Sequence, residues 1–143
     1  PCYPPVQGGV VGSVRAFLLE RREAALRAGA ARRAGALDPG LGFGKSVHQN
    51  YELIARLRDI AEPEDVIVAG ASRKSFIGAA SGEPEPRDRV CGSVAAAVAL
   101  VLHGAHVIPA HDVKQRAAAL AVAARIRDAS RPVTPGGVPA SGL

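Results

Sequence analysis

The chain has 143 residues and a formal net charge of +5, and 48% of its residues are hydrophobic although only 3% are aromatic. This length suits a single domain, and no apolar run reaches the roughly 18 residues that a membrane span requires. The content of 16 Gly and 11 Pro is below that of low-complexity chains. The basic residues are scattered without interleaved aromatic residues for base stacking, so neither disorder throughout, a membrane span nor nucleic-acid binding is predicted.

The two cysteines, Cys2 and Cys91, have neither the spacing of metal ligands nor that of a disulfide framework, which favours a cytoplasmic location. Residues 1–9 lack a basic segment followed by an apolar one, so we predict an irregular N-terminal segment and no signal peptide. Because the sequence starts at Pro1 and contains no Met, we expect that residues upstream were removed or not included. Residues 130–143 are predicted to be a disordered tail.

Between these ends, residues 10–129 show alternating helix and strand patterns. Apolar residues at helical spacing predict four helices, over 10–28, 47–61, 93–103 and 113–129. Short apolar runs predict three strands, over 35–37, 66–69 and 105–108. This order predicts an α/β fold in which about three parallel strands alternate with four helices.

Each predicted strand is followed by a polar or glycine-rich segment. In parallel α/β folds, the loops after the strands build the site, so Asp38, the Ser-Arg-Lys segment at 72–74 and His111 should converge on one mouth. The glycine-rich segment DPGLGFGKS at 38–46 matches neither a phosphate-binding loop nor a dinucleotide-binding fingerprint in its spacing. Nucleotide binding is therefore not predicted for this loop.

Each candidate residue has a functional and a structural interpretation. The Asp38 carboxylate can accept two parallel N–H donors, as on an aminopyrimidinone edge, or it can form an Asx turn. Arg73 and Lys74, with the Ser72 hydroxyl, suit an anionic or carbonyl-bearing ligand, or they form a solvated basic turn.

His111 and Asp112 can bind phosphate or handle protons. In the alternative, Asp112 caps the last helix and His111 is a partly exposed neighbour. The other histidines, His48, His103 and His106, form no convincing ligand group, so no metal site is predicted in this chain.

Three segments taken together resemble the dihydropteroate synthase family of pterin-binding TIM barrels. The matching strings are LDPGLGFGKSVHQNYELIARL, VIVAGASRKSFIG and GSVAAAVALVLHGAHVIPAHDV. The resemblance covers about residues 10–129, and it implies a partial TIM barrel that corresponds to the C-terminal part of the family's barrel. It also implies a transferase of folate biosynthesis, which condenses 6-hydroxymethyl-7,8-dihydropterin pyrophosphate with p-aminobenzoate to give 7,8-dihydropteroate.

The resemblance implies a role for each candidate residue. Lys74 and His111 would be catalytic, with His111 contacting phosphate, and Ser72 and Arg73 would lie on the p-aminobenzoate side. The pterin-binding residues would be Asp38, Gly42, Phe43 and Lys74. The family also implies Mg²⁺, whose expected ligand lies in an N-terminal part that this sequence does not contain.

Two departures from the family pattern limit the expected activity. Pro109 stands where the family usually has an arginine for the pyrophosphate, and the N-terminal strands are not present. We therefore expect the chain alone to be a poor catalyst or none. The alternatives are a non-catalytic or truncated homologue that packs against a partner chain, of which a homodimer is one form, and a related methyltetrahydrofolate-binding methyltransferase. The Ser-Arg-Lys and His-Asp-Val segments argue against the methyltransferase.

Overall fold

The computed structural model describes residues 9–130, which form five α-helices and two 3₁₀ turns. The predicted disordered tail, apart from Ser130, and the predicted irregular N-terminal segment, apart from Gly9, lie outside the described residues. The helices are α1 (Gly9–Arg27), α2 (Val47–Ala55), α3 (Ser75–Ser81), α4 (Val90–Leu102) and α5 (Val113–Ala129), and the 3₁₀ turns span Arg32–Ala34 and Leu57–Ile60.

The first helix confirms its predicted position within one residue at each end. It buries Val11, Val14 and Leu18 at the helical spacing that the sequence shows. These side chains join the core, where α1 packs against α2 and the 3₁₀ turn at Leu57–Ile60.

The second helix is shorter than the prediction of 47–61. Ser46 begins it with a capping box, in which the Ser46 and Gln49 side chains each accept a backbone N–H of the other residue. The helix ends at Ala55, and a separate 3₁₀ turn follows, in which Leu57 and Ile60 are both fully buried. A 3₁₀ turn places residues three apart on one side, which explains why the apolar spacing continued past the end of the α-helix.

The three predicted strands are not present as continuous strands in the described part of the chain. Their pairing consists of two isolated parallel bridges, from Leu37 to Ile67 and from Val68 to Val107. Neighbouring segments therefore pair in the predicted parallel direction, but only at single residues. The three-stranded partial barrel is not confirmed. The two outer segments each pair on one side only, and Val107 remains 48% exposed.

The helix α3 was not predicted. It follows Lys74 directly, buries Phe76 and Ile77, and ends at Ser81, where Gly82 caps it with a left-handed φ of +75°. Seven residues give too few turns for a periodic apolar pattern to stand out from a buried strand. Its position fixes the end of the loop at 72–74 relative to the core.

The last two helices pair with each other. The structure extends α4 three residues before the predicted start at 93, and it confirms α5 over Val113–Ala129. Besides α5, α4 packs against α2 and α3, so this strongly apolar helix is covered on several sides, as its composition requires.

Candidate functional site

Asp38 lies at the start of the glycine-rich loop, and its side chain forms the Asx turn that the sequence left open. Its Oδ1 accepts a hydrogen bond from the Gly40 N–H at 2.8 Å. A carboxylate has about four acceptor positions, so the turn occupies one and leaves the others for a ligand. Asp38 is exposed, and the two interpretations of this residue are therefore compatible.

Asn50 of α2 fixes the glycine-rich loop through hydrogen bonds. Asn50 is 1% exposed, its Oδ1 accepts the Gly42 N–H at 2.6 Å, and its Nδ2 donates to the Ser46 carbonyl at 2.8 Å. The Lys45 ammonium donates to the carbonyls of Gly40 and Phe43, at 2.9 Å and 3.1 Å. Burial lowers the pKa of Lys45, and the charge of Asp38 opposes that shift.

Lys74 lies against the glycine-rich loop. Its Nζ is 3.7 Å from the centroid of the Phe43 ring, a cation–π contact. The backbone of Gly42 makes this approach possible, because a Cβ at Gly42 would lie 2.9 Å from Lys74 Cδ and the φ there is +81°. The loop therefore requires glycine at this position to hold Lys74 in place.

Ser72 and His111 come from different loops and contact each other directly. The distance from Ser72 Oγ to His111 Nδ1 is 2.8 Å, and the His111 backbone N–H also reaches Ser72 Oγ at 3.3 Å. The guanidinium of Arg116, on α5, donates to the same oxygen at 2.9 Å and is 1% exposed. Burial lowers the pKa of Arg116, while the charge of Asp112 raises it.

The Arg73 side chain pairs with Asp112. Its Nη2 and Nε donate to the two carboxylate oxygens at 2.6 Å and 3.2 Å, and its φ of +58° is unusual for a residue other than glycine. The hydrogen bond from Arg73 lowers the pKa of Asp112 and raises that of Arg73. The prediction that Asp112 caps the last helix is wrong, since its side chain makes no capping hydrogen bond and binds Arg73 instead.

These loops enclose a cleft of about 360 Å³. Of the predicted site residues, the structure brings Asp38, Phe43, Ser72, Lys74 and His111 together on its wall. Gly42 and Arg73 are not among the lining residues, although each contacts or adjoins one that is. The full lining is Asp38, Gly40, Leu41, Phe43, Gly70, Ser72, Lys74, Pro109, Ala110 and His111.

A larger cavity of about 580 Å³ lies elsewhere, beside Glu62, Gly104 and His106. It contains none of the predicted site residues, and its lining includes His106, whose Nδ1 already accepts the Ile67 backbone N–H at 3.1 Å. Cavity size therefore does not select the smaller cleft as the candidate site, and the convergence of an acid, a lysine and an imidazole on its wall is the reason for choosing it.

The comparisons with known proteins place this chain in a family of pterin-binding proteins. The model of the family described as "Pterin binding enzyme" matches residues 3–111. The chain belongs to this family.

The relatives within that family are dihydropteroate synthases. The enzyme of Escherichia coli (strain K12) is 38% identical over 118 residues, and that of Neisseria meningitidis serogroup B (strain ATCC BAA-335 / MC58) is 43% identical over 121 residues. Both alignments cover 82% of this chain and 42% of the relative. The chain therefore spans less than half the length of these curated relatives.

The solved structures that match this chain are also dihydropteroate synthases. The dihydropteroate synthase of Burkholderia cenocepacia, complexed with 7,8-dihydropteroate, matches with a TM-score of 0.80 and 44% identity, over 88% of this chain and 47% of that one. That of Xanthomonas albilineans, with 4-aminobenzoic acid, matches with a TM-score of 0.80 and 39% identity, over 91% and 46%. The fold of the described residues is therefore that of a segment of these enzymes.

Three residues of the site were missed by reasoning from sequence. Arg116 looked like one more charged residue on a surface helix, and Asn50 lies within an ordinary polar-apolar pattern. Lys45 follows a glycine at 44. The glycine indicates a loop, but it does not show which groups the Lys45 ammonium binds. The only signal for Asn50 and Arg116 was their helical spacing from apolar residues that are also buried, namely Leu53 and Ile54 in α2 and Ala123 in α5.

Two further properties concern residues 9–130. None of their helices combines the length and the apolar character that crossing a membrane requires. No group of three or more His, Cys, Asp or Glu side chains in this range is placed to hold a metal ion.

Proposed function

We propose that this chain supplies the pterin- and diphosphate-contacting part of a dihydropteroate synthase site. The observation that supports this most is the placement of Asp38 and Lys74 on one cleft, with Phe43 and His111 on the same wall. The reported relatives are dihydropteroate synthases, which favours this activity over the methyltransferase alternative.

In the proposed complex, Asp38 holds the pterin by its amino group and ring N–H. One carboxylate oxygen stays in the turn with Gly40, and the remaining acceptor positions face two parallel donors. Lys74 donates to the pterin carbonyl and ring nitrogen, and the exposed Phe43 ring, held beside Lys74, gives the flat ligand a surface to stack on. Gly42 completes this wall by admitting Lys74.

The proposed reaction is a displacement at the methylene carbon of the dihydropterin pyrophosphate. The amine nitrogen of p-aminobenzoate forms the new C–N bond, the C–O bond breaks, its electron pair leaves on the diphosphate, and the amine loses one proton. Negative charge moves onto the leaving group, so His111 and the Lys74 cation stabilise it from the cleft wall. Ser72 and Arg73 lie toward the p-aminobenzoate side, with Arg73 held back by Asp112.

The Mg²⁺ that the family resemblance implies does not fit the described residues. Residues 9–130 contain no group of three potential ligand side chains, so no step proposed here passes through the metal. A partial TIM barrel remains the proposed architecture, supported by the parallel bridges and by the match to these enzymes. Within residues 9–130, Cys91 is a free, exposed cysteine, and a cytoplasmic location remains a proposal.

Binding of pteroate tests the proposed function, with Asp38 as the variable. Asp38→Asn keeps an oxygen for the Gly40 N–H but presents an amide donor to the pterin donors, so the turn survives while recognition fails. Loss of a charged hydrogen-bonding pair predicts roughly a 10- to 100-fold weaker affinity by titration calorimetry. Asp88→Asn, at an exposed aspartate away from the cleft, is the matched control.

Two results would contradict these expectations. If pteroate binds Asp38→Asn and Asp38→Ala as tightly as the parent chain, Asp38 does not hold the pterin. Formation of dihydropteroate by the 143-residue chain alone, at a rate like that of a full-length dihydropteroate synthase, would contradict the expectation of weak or no turnover.

A second candidate function is packing against a partner chain, and the surface of α5 favours it. Val122 and Ile126 lie one helical turn apart and are 61% and 54% exposed. Apolar residues at this spacing form a stripe that a second chain, including another copy of this one, would bury. Static light scattering tests it, since a compact monomer at high concentration would contradict a partner-binding role.

A further inference from the structure

We propose that Arg116, acting through the Ser72 hydroxyl, holds the neutral His111 imidazole in the tautomer that carries its proton on Nε2. The geometry that supports this is a count of donors and acceptors around one oxygen atom. A serine hydroxyl has one proton to donate and two lone pairs to accept with. Three groups lie within hydrogen-bonding distance of Ser72 Oγ: the Arg116 guanidinium, the His111 backbone N–H and His111 Nδ1.

Two of these three groups can act only as donors. A guanidinium has no acceptor, and neither has a backbone N–H, so Arg116 and the His111 amide take both lone pairs of Ser72 Oγ. The hydroxyl proton is then the only hydrogen-bonding group that Ser72 has left, and the hydroxyl donates it in a hydrogen bond to His111 Nδ1 at 2.8 Å. Nδ1 accepts, and the neutral ring must carry its proton on Nε2.

The consequence concerns the cleft. His111 lines the cleft, and within residues 9–130 its Nε2 has no hydrogen-bond partner. The ring therefore offers an N–H donor to a ligand without first having to become a cation. That the ligand is the diphosphate of the pterin substrate rests on the proposed function; the tautomer does not.

Arg116 is poorly explained as a contributor to stability. Its Nε is buried without a hydrogen-bond partner, and its nearest carboxylate oxygen, on Asp112, is 3.8 Å away. Asp112 has a closer partner in Arg73, at 2.6 Å, so removing the Arg116 charge leaves no carboxylate unpaired. An incompletely paired buried cation is costly. The presence of a buried arginine at 116 is instead accounted for by its hydrogen bond to Ser72 Oγ.

The test is a long-range ¹H–¹⁵N NMR spectrum of the ¹⁵N-histidine-labelled chain, recorded without ligand at a pH well above the ordinary histidine pKa. A His111→Asn variant assigns the His111 signals. In the parent chain, we expect the Nε2–H pattern. In Arg116→Met and Ser72→Ala, the ratio of the Nε2–H to the Nδ1–H tautomer should fall roughly fivefold, the effect of one net hydrogen bond.

The chain contains its own reference and its own control. His106 Nδ1 accepts the Ile67 backbone N–H, which fixes the same tautomer by an independent route, so the His106 signals should not change. Arg125→Met removes an exposed arginine from the same helix as Arg116, and it should leave His111 unaffected. Chemical unfolding of Arg116→Met should show unchanged or higher stability, which separates positioning of the imidazole from support of the fold.

Three results would overturn the proposal. The first is an Nδ1–H pattern for His111 in the parent chain, and the second is an unchanged tautomer ratio in Arg116→Met. The third, an unchanged ratio in Ser72→Ala, keeps the idea refutable if Arg116→Met fails to fold. Titration with inorganic diphosphate then tests the ligand separately. A tautomer that behaves as expected, without any diphosphate response, would count against the proposed function and leave the role of Arg116 standing.

Discussion

Replacing Gly42 with alanine should weaken pterin binding by displacing Lys74 rather than by disturbing the fold at large. The added Cβ would lie 2.9 Å from Lys74 Cδ, 3.4 Å from Cγ and 3.5 Å from Cε. Carbon atoms in good contact are about 3.5–4.0 Å apart, so the lysine side chain must move by roughly half an ångström or more. Nζ then leaves its position 3.7 Å from the Phe43 ring.

Two separate costs follow from the structure. The φ of +81° at Gly42 costs any residue with a Cβ about 1–2 kcal/mol, which appears as lost stability. Displacement of Lys74 removes a cation–π contact of about 0.5–1 kcal/mol and misplaces a ligand donor worth about 1.5–3 kcal/mol. If the second cost falls on the complex, pteroate affinity drops roughly 10-fold or more.

Gly82→Ala separates the two costs. Gly82 has a similar φ of +75°, but a Cβ there would have no atom within 4 Å, so this variant carries the backbone cost alone. Urea unfolding should show Gly82→Ala destabilised by the backbone cost alone and Gly42→Ala by that cost plus about 0.5–1 kcal/mol for the lost cation–π contact, while titration calorimetry with pteroate should show weakened binding only for Gly42→Ala. Equal affinities for the two variants would refute the idea that glycine at 42 serves to place Lys74.

Three further outcomes are expected. Asn50→Ala should lower the free energy of unfolding by about 1–3 kcal/mol in urea, because it leaves the Gly42 N–H without its buried acceptor; a change near zero would mean that water replaces the amide. The pKa of Asp112 is lowered in the fold, so its stabilisation is complete above the ordinary value of about 3.9 and is lost as the pH falls through the lower folded-state value. Asp112→Asn should therefore flatten the decline of stability in acid, and an unchanged acid profile would argue against the ion pair with Arg73. Pro109→Arg should strengthen the binding of inorganic diphosphate, with a gain that shrinks as salt is added; unchanged calorimetric titrations would show that an arginine at 109 does not reach the anion.

The sequence was sufficient for the features that depend on periodicity and on chain order. The helices α1 and α5 appeared where their apolar spacing placed them, and α4 began only three residues early. The convergence of Asp38, Lys74 and His111 followed from the rule that loops after parallel strands share one mouth. The cleft contains all three, although the strands that justified the rule are reduced to single bridges.

The features that depend on individual side-chain contacts could not be predicted. Whether Asp112 caps α5 or pairs with Arg73 is decided by a left-handed backbone at 73, which no sequence pattern reveals. The same holds for Arg116, because only coordinates show that its guanidinium is buried against Ser72. In the 47–61 segment, the apolar spacing fits an α-helix and a 3₁₀ turn alike, so the break at Arg56 was hidden.

The single parallel bridges give a bound ligand a mechanical role. Leu37 is joined to the middle segment by two backbone hydrogen bonds, to the Val66 carbonyl at 2.8 Å and from the Val68 amide at 2.9 Å. A molecule that contacts Asp38 and Lys74 at once would tie these two segments together at their open end. Such a ligand would stabilise the pairing of the two segments. At a free ligand concentration of 100 times its dissociation constant, binding would add about 2.7 kcal/mol to the free energy of unfolding. Melting temperature would then rise with ligand concentration, so a simple thermal screen could find compounds for this cleft.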